Sequence, residues 1–125
     1  MPRQNILVVD DSPTERHFLC ELLSSHGYRV STADNGEAAI AYIRAEPPQL
    51  VIMDVVMPGQ NGFQATREIS RDPATRHLPI IICSSKSQET DRIWGIRQGA
   101  REFMVKPVDP SQLLRKIAAL LGNAC

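Results

Sequence analysis

The chain has 125 residues, of which 42% are hydrophobic and 22% are charged, an ordinary composition for one soluble domain. Its 14 Lys and Arg residues balance 14 Asp and Glu residues, so the zero net charge gives no support for broad nucleic-acid binding. The apolar runs are too short to span a bilayer, and the N-terminus does not have the pattern of a signal peptide. We therefore expect one cytoplasmic domain over residues 1–125, with no membrane insertion and no nucleic-acid partner.

The cysteines and histidines are too widely spaced to form a zinc site or a dithiol redox site. We interpret the thiols as buried or incidental, and the imidazoles as surface or boundary residues. The residues concerned are Cys20, Cys83, Cys125, His17, His26 and His77.

The first part of the chain alternates a short apolar run with a helical pattern. Ile6–Val9 is continuously apolar, which predicts a strand buried on both faces. A helix is predicted to start after Ser12, which can cap it, with Glu15 at the capping-box position. Gly27 is expected to end this helix, and the alternating pattern of Tyr28–Ala33 predicts a second strand.

The central part repeats the same alternation. Asn35-Gly36 precedes a second helix, which Pro47-Pro48 should end. Leu50–Met53 predicts a third strand, Phe63–Ser70 a third helix and Leu78–Cys83 a fourth strand.

The last part completes the pattern. Gln88–Gln98 predicts a fourth helix and Phe103–Val105 a fifth strand, while Asp109 should cap a fifth helix, with Gln112 at the capping-box position. Five strand–helix units with short connections predict an α/β fold, with a parallel sheet covered by helices on both faces. Because the last helix reaches the C-terminus, we expect no output domain in this chain.

Polar residues follow four of the predicted strands. Asp10 and Asp11 follow the first strand, Asp54 the third, Ser84 the fourth and Lys106 the fifth. Each alone has a simpler explanation, such as a helix cap or a solvated side chain. Together they should converge, because ligands of open parallel sheets bind outside the carboxyl ends of the strands.

This convergence suits phosphoryl chemistry. Three neighbouring carboxylates repel one another unless a cation lies among them, and oxygen ligands favour Mg²⁺. Lys106 would add a second positive charge, and Ser84 a hydroxyl donor. Asp54 lies between the other groups in sheet order, so it is the best candidate nucleophile. We expect Asp10 and Asp11 to hold the metal, with a backbone carbonyl just after Asp54, assigned to Val56.

The chain resembles the response-regulator receiver family over essentially its full length. The resemblance implies a flavodoxin-like fold, with five helices around a five-stranded parallel sheet in the order 2-1-3-4-5. It also implies phosphoryl transfer from the phosphohistidine of a histidine kinase to Asp54, a requirement for Mg²⁺, and a cis bond between Lys106 and Pro107. The motifs that carry it are Val8-Val9-Asp10-Asp11-Ser12, the stretch 53–62 (MDVVMPGQNG), Ser84 and Lys106-Pro107.

Residues 88–101 and 62–67 resemble single-domain receivers of type IV pilus, chemotaxis-like pathways. This narrower resemblance implies a stand-alone regulator in a motility pathway, with a chemotaxis-like kinase and an unknown downstream protein as partners. The chain would be a monomer or weak dimer. It would not be an enzyme, beyond catalysing its own phosphotransfer and hydrolysis.

Two positions depart from the common family pattern. Ser84 replaces the frequent Thr but keeps the hydroxyl, and Phe103 replaces the Tyr of many chemotaxis members. We predict that phosphorylation pulls Ser84 toward Asp54 and lets Phe103 turn inward, which would reshape a partner surface on the fourth helix, fifth strand and fifth helix. Trp94 on the fourth helix has two interpretations. It is either a structural residue, packed between helix and sheet or partly exposed, or an anchor for a partner protein. Its arginine neighbours fit a solvated face, namely Arg92, Arg97 and Arg101.

Alternatives from other functional classes fit the sequence less well. A two-aspartate phosphatase would need a second acid at Val56, and a nucleotide fold would need glycines where residues 10–13 read Asp-Asp-Ser-Pro. An unphosphorylated docking adaptor on the same fold would not need the intact acid pair, Ser84 and Lys106. Val56 and Lys86 flank the expected approach of water and would tune hydrolysis.

Overall fold

The computed structural model describes residues 4–55, 61–85 and 88–122, in which five strands alternate with five helices. The strands are β1 (Asn5–Val9), β2 (Arg29–Ala33), β3 (Leu50–Met53), β4 (Ile80–Ser84) and β5 (Glu102–Val105). The helices are α1 (Pro13–Ser25), α2 (Gly36–Ala45), α3 (Gly62–Arg71), α4 (Glu89–Arg97) and α5 (Pro110–Leu121).

The strands form one parallel sheet in the order β2-β1-β3-β4-β5, which confirms the predicted fold. β1 pairs with β2 on one side and with β3 on the other, so the strand order reverses at β1. Val9 lies opposite both Ala33 and Met53 in these two pairings. The residues that follow β1 and β3 therefore lie next to each other at the carboxyl edge, where this fold type binds its ligands.

Helices cover both faces of the sheet, and alternate strand residues supply the two cores. In β1, Leu7 packs into one core and Val8 into the other. The first core contains buried residues of α2 and α3 together with Phe103. The second contains buried residues of α1 and α5. The central strands β1, β3 and β4 are buried almost completely, as their continuous apolar runs predicted.

Neither predicted capping box forms, although both predicted caps do. The Ser12 hydroxyl accepts the Glu15 N–H at 3.3 Å, but the Ser12 N–H donates to the Asp10 carboxylate at 2.9 Å and so is not left for Glu15. The Asp109 carboxylate instead accepts the Ser111 N–H two residues on, at 3.0 Å. A complete capping box occurs at α3, where it was not predicted, between Asn61 and Gln64.

Two strands begin later than the patterns predicted. β2 starts at Arg29 because the N–H of Tyr28 donates to the Leu23 carbonyl and so belongs to the end of α1. β4 starts at Ile80 because the N–H of Leu78 closes a turn onto the Thr75 carbonyl. Both differences fall at element ends, and the core residues of each strand are unaffected.

Candidate functional site

The acidic residues predicted from strands β1 and β3 do come together. Asp10 and Asp54 are buried, with 3% and 7% of their surface exposed, while Asp11 is exposed. One carboxylate oxygen from each of the three lies within 4.8 Å of the others. The backbone explains this closeness, because the N–H of Asp54 donates to the Val9 carbonyl at 2.9 Å and continues the pairing of the two strands.

Asp10 is held by hydrogen bonds on every side. Its N–H donates to the Ala33 carbonyl at 3.1 Å, and its own carbonyl accepts from Nη1 of Arg16 at 2.7 Å. One carboxylate oxygen accepts the Ser12 N–H at 2.9 Å, and the other accepts from Nζ of Lys106 at 2.8 Å. Arg16 was not singled out from the sequence, because a basic residue on a helix gives no sign that it bonds back to the preceding strand.

Lys106 crosses from the end of β5 to the acids. Its Nζ lies 2.8 Å from Oδ2 of Asp10 and 3.7 Å from Oδ1 of Asp54, and its side chain is 17% exposed. Burial works against the charge, but the hydrogen bond to Asp10 and the charges of Asp54 and Asp10 outweigh it and raise the pKa of the Lys106 amine. The lysine is therefore charged at neutral pH. The peptide bond between Lys106 and Pro107 is cis, as the resemblance implied.

Ser84 is fully buried at the end of β4, between the strands that carry Asp54 and Lys106. Two residues before it, Ile82 pairs with Met53, so Ser84 stands level with the residue after Asp54. Its carbonyl accepts the N–H of Lys106 at 2.8 Å, which ties the two residues together. The strand pairings thus place a hydroxyl-bearing residue and a lysine on the same side of Asp54.

Gly62 brings the start of α3 against the backbone of Asp54. A Cβ atom on Gly62 would lie 2.7 Å from both the Asp54 carbonyl carbon and the Val55 Cα, and closer still to the Asp54 carbonyl oxygen. The N–H of Gly62 donates to the Val55 carbonyl at 3.1 Å, which fixes this approach. Gly62 lies within the motif over residues 53–62, but the motif alone gives no sign that this glycine supports the position of Asp54.

The residues present fit a divalent cation. Three carboxylates so close together need positive charge nearby, and Lys106 supplies one positive charge against their three negative charges. Carboxylate oxygens at this spacing are the ligands that Mg²⁺ takes, with water or substrate oxygens completing its shell. The predicted carbonyl ligand of Val56 and the predicted hydrolysis-tuning residue Lys86 both lie outside the described residues.

The two residues predicted to serve signalling lie apart from the acids. Phe103 is buried, at 7% exposure, in the core that contains α2 and α3. Only this inward position is observed, so the predicted inward turn stays a prediction. Trp94 is 49% exposed on α4, which confirms a partly exposed aromatic and leaves the anchor role untested. Three exposed arginines near it agree with the predicted solvated face, namely Arg92, Arg97 and Arg101.

The cysteines and histidines agree with their interpretation wherever the structure describes them. Cys83 is buried on β4, and burial raises the pKa of its thiol to about 12. Cys20 is partly buried, and burial also raises the pKa of its thiol. Cys125 lies outside the described residues, and the histidines are exposed, namely His17, His26 and His77.

The family of the chain follows from its similarity to known proteins. Residues 6–118, which are most of the chain, match the family of the response regulator receiver domain. The chain is a response-regulator receiver domain. It is 53% identical over 118 residues to the protein PilH of Pseudomonas aeruginosa, covering 94% of this chain and 98% of PilH. It is also 37% identical to the response regulator PleD of Caulobacter vibrioides, but this match covers only 25% of that longer protein.

Solved receiver structures have the same architecture. A response regulator from Chloroflexus aurantiacus superimposes with a TM-score of 0.93 and 30% identity, covering 98% of this chain and all of the other. The chemotaxis protein CheY4 of Vibrio cholerae gives a TM-score of 0.89 and 28% identity over 96% of this chain. The receiver family consists of phosphoacceptor switches that work with histidine kinases and bind Mg²⁺ at an acidic cluster. In the described residues, no helix has both the length and the apolar character needed to cross a membrane.

Proposed function

We propose that Asp54 accepts a phosphoryl group from the phosphohistidine of a histidine kinase. A carboxylate oxygen of Asp54 would attack phosphorus while the bond from phosphorus to the imidazole nitrogen breaks and its electron pair stays on the imidazole. The observation that supports this choice is the convergence of Asp10, Asp11 and Lys106 around one buried carboxylate at the reversal point of the sheet. Such transfer depends on positioning and on neutralising charge more than on a base.

The surrounding residues have separate parts in the proposal. Asp10, Asp11 and Asp54, with the carbonyl of Val56, would hold Mg²⁺, which neutralises charge on the phosphoryl oxygens when bound. Lys106 already carries its charge 3.7 Å from Asp54 and would bind another of these oxygens. The Ser84 hydroxyl would donate to a third oxygen.

The contact between Asp10 and Lys106 suggests that Lys106 would change its partner from Asp10 to Asp54 when a metal binds. Both oxygens of the Asp10 carboxylate accept hydrogen bonds here, one from Ser12 and one from Lys106. Coordination of a metal by Asp10 would compete with the bond from Lys106. The released ammonium would then be drawn to Asp54 and to the phosphoryl group on it.

The pathway is the second part of the proposal. PilH shares 53% identity and nearly its whole length with this chain, which supports a stand-alone regulator in a type IV pilus, chemotaxis-like motility pathway. A chemotaxis-like kinase would phosphorylate it in the cytoplasm. The chain would have no catalytic activity beyond its own phosphotransfer and hydrolysis, and would signal through the surface of α4, β5 and α5.

Incubation with acetyl phosphate and Mg²⁺, followed by measurement of the intact mass, tests the phosphoacceptor. We expect one added phosphoryl group, which disappears in Asp54→Asn and when the metal is chelated. Asp34→Asn is the matched control, because Asp34 follows β2, outside the acidic group, and this variant should be phosphorylated normally. Absence of the adduct with acetyl phosphate and with histidine kinases would favour the adaptor instead.

A further inference from the structure

The edge of the sheet formed by β5 is open. β5 pairs with β4 on one side, and within the described residues no strand pairs with its other side. An edge strand presents backbone N–H and C=O groups that can pair with a further strand. β5 therefore offers a template for an added strand, between α4 on one face of the sheet and α5 on the other.

A groove with a volume of about 500 Å³ runs along this open edge. Its floor is β5 itself, from Glu102 to Val105, and its walls carry Arg92 from α4 and Arg115 from α5. Val105 is 44% exposed at the end of the strand. An extended segment laid along β5 would thus meet a backbone edge, an apolar patch and charged walls.

The charges of the groove select the kind of segment. Lys116 and Glu102 neutralise each other through a contact of 2.7 Å, and Asp109 caps α5. Arg92 and Arg115 are exposed, and among the described residues neither has a carboxylate within ion-pair distance. The groove lining carries three basic and two acidic side chains, so its net charge is +1, and the two guanidinium groups on opposite walls are its only cations without an ion pair among the described residues. Both features favour an anionic occupant.

We propose that an acidic, extended segment of a partner protein binds here as a sixth strand paired with β5. This inference rests on the proposed signalling role of the α4–β5–α5 surface, and it specifies the partner. Backbone hydrogen bonds to β5 would give affinity, while carboxylates facing Arg115 and Arg92 would give selectivity.

Two other occupants fit the groove less well. A second copy of this chain, paired edge to edge around a two-fold axis, would bring the basic walls of both copies together. A helical segment satisfies its own backbone groups, so it would leave the open edge of β5 to water.

Binding of a short peptide by fluorescence polarisation tests the proposal. The probe is the fluorescein-labelled peptide Glu-Glu-Val-Val-Glu-Glu, compared with its counterpart that has Lys in place of each Glu. Successive side chains of a strand point to opposite faces, so this order presents carboxylates to both walls of the groove. We expect the acidic peptide to bind and the basic one not to bind. Arg115→Glu and Arg92→Glu should each weaken binding about tenfold or more. Arg67→Glu on α3 makes the same change of charge outside this groove, and should leave binding unchanged at physiological salt.

Backbone methylation separates strand pairing from simple attraction of charge. Methyl groups on alternate backbone nitrogens remove the N–H donors from one edge of the peptide only. Of two peptides methylated at odd or at even positions, we expect one to bind about tenfold more weakly and the other to keep its affinity. Equal affinities of these two peptides, or undiminished binding to Arg115→Glu, or no binding of the acidic probe, would overturn the proposal.

The phosphoacceptor role is measured separately on the same samples. Intact mass after acetyl phosphate treatment reports phosphorylation of Asp54 in every variant, and the groove variants should all be phosphorylated normally. Failure of peptide binding with normal phosphorylation would refute the sixth strand alone. Failure of phosphorylation with normal peptide binding would refute the phosphoacceptor role alone.

Discussion

Replacement of Gly62 by alanine tests whether the close approach of α3 positions Asp54. The new Cβ would lie 2.7 Å from the Asp54 carbonyl carbon and from the Val55 Cα, whereas carbon atoms pack at about 3.5 Å or more. Either the start of α3 or the Asp54 peptide must therefore move by about 0.8 Å or more. The obstructing atoms belong to the backbone, so a change of rotamer cannot relieve the clash.

The expected effect falls on both stability and rate. Overpacking of this kind costs about 1–3 kcal/mol, and the better helix propensity of alanine offsets less than about 1 kcal/mol. A displacement near 1 Å at a reacting group slows a reaction by about a hundredfold. Gly62→Ala should thus lower the free energy of unfolding by about 1–2 kcal/mol and slow phosphorylation by about ten- to a hundredfold.

Urea denaturation and the rate of phosphorylation by acetyl phosphate measure the two effects. Gly95→Ala in α4 is the comparison, because its Cβ would meet side-chain atoms of Phe103 and Ile82 at 3.0 and 3.1 Å, and these can shift by a few tenths of an ångström. It should change the free energy of unfolding by less than about 1 kcal/mol and leave the rate unchanged. Wild-type stability and rate in Gly62→Ala would refute the reasoning.

Two further predictions concern buried side chains. The hydroxyl of Thr66 is buried in α3 and has no hydrogen-bond partner among the residues that the structure describes, so Thr66→Val should raise the free energy of unfolding by about 1 kcal/mol. A lower thermal midpoint would contradict this. Burial raises the pKa of Cys83 to about 12, so this thiol should stay protonated and unmodified by iodoacetamide at pH 8 in the folded protein, and should react in urea. Peptide mass mapping should find that the partly buried Cys20 is modified before Cys83, and equal labelling of Cys20 and Cys83 would contradict the structure.

The elements of the fold followed directly from local patterns. The apolar runs of β1, β3 and β4 are buried on both faces, and an acid or hydroxyl residue at each carboxyl end marked the edge that carries the site. Sequence order together with the geometry of parallel sheets was enough to predict that Asp10 and Asp54 lie close to each other. The strand order itself came from family resemblance, because right-handed connections alone leave several arrangements open.

Contacts between distant residues could not be predicted in this way. The bond from Arg16 to the Asp10 carbonyl and the approach of Gly62 to Asp54 depend on how helices sit on the sheet. The Glu15 capping box failed for a similar reason, because the Ser12 N–H already donates to the Asp10 carboxylate. Patterns of residue type do not show which of two competing acceptors takes a donor.

The most direct test of the central claim identifies the phosphorylated residue. Borohydride reduces an aspartyl phosphate to homoserine, and tandem mass spectrometry locates that residue. After treatment with acetyl phosphate and Mg²⁺, we expect homoserine at position 54 and intact aspartate at positions 10 and 11. Homoserine at Asp10 or Asp11, or a phosphoryl group that resists borohydride, would contradict it.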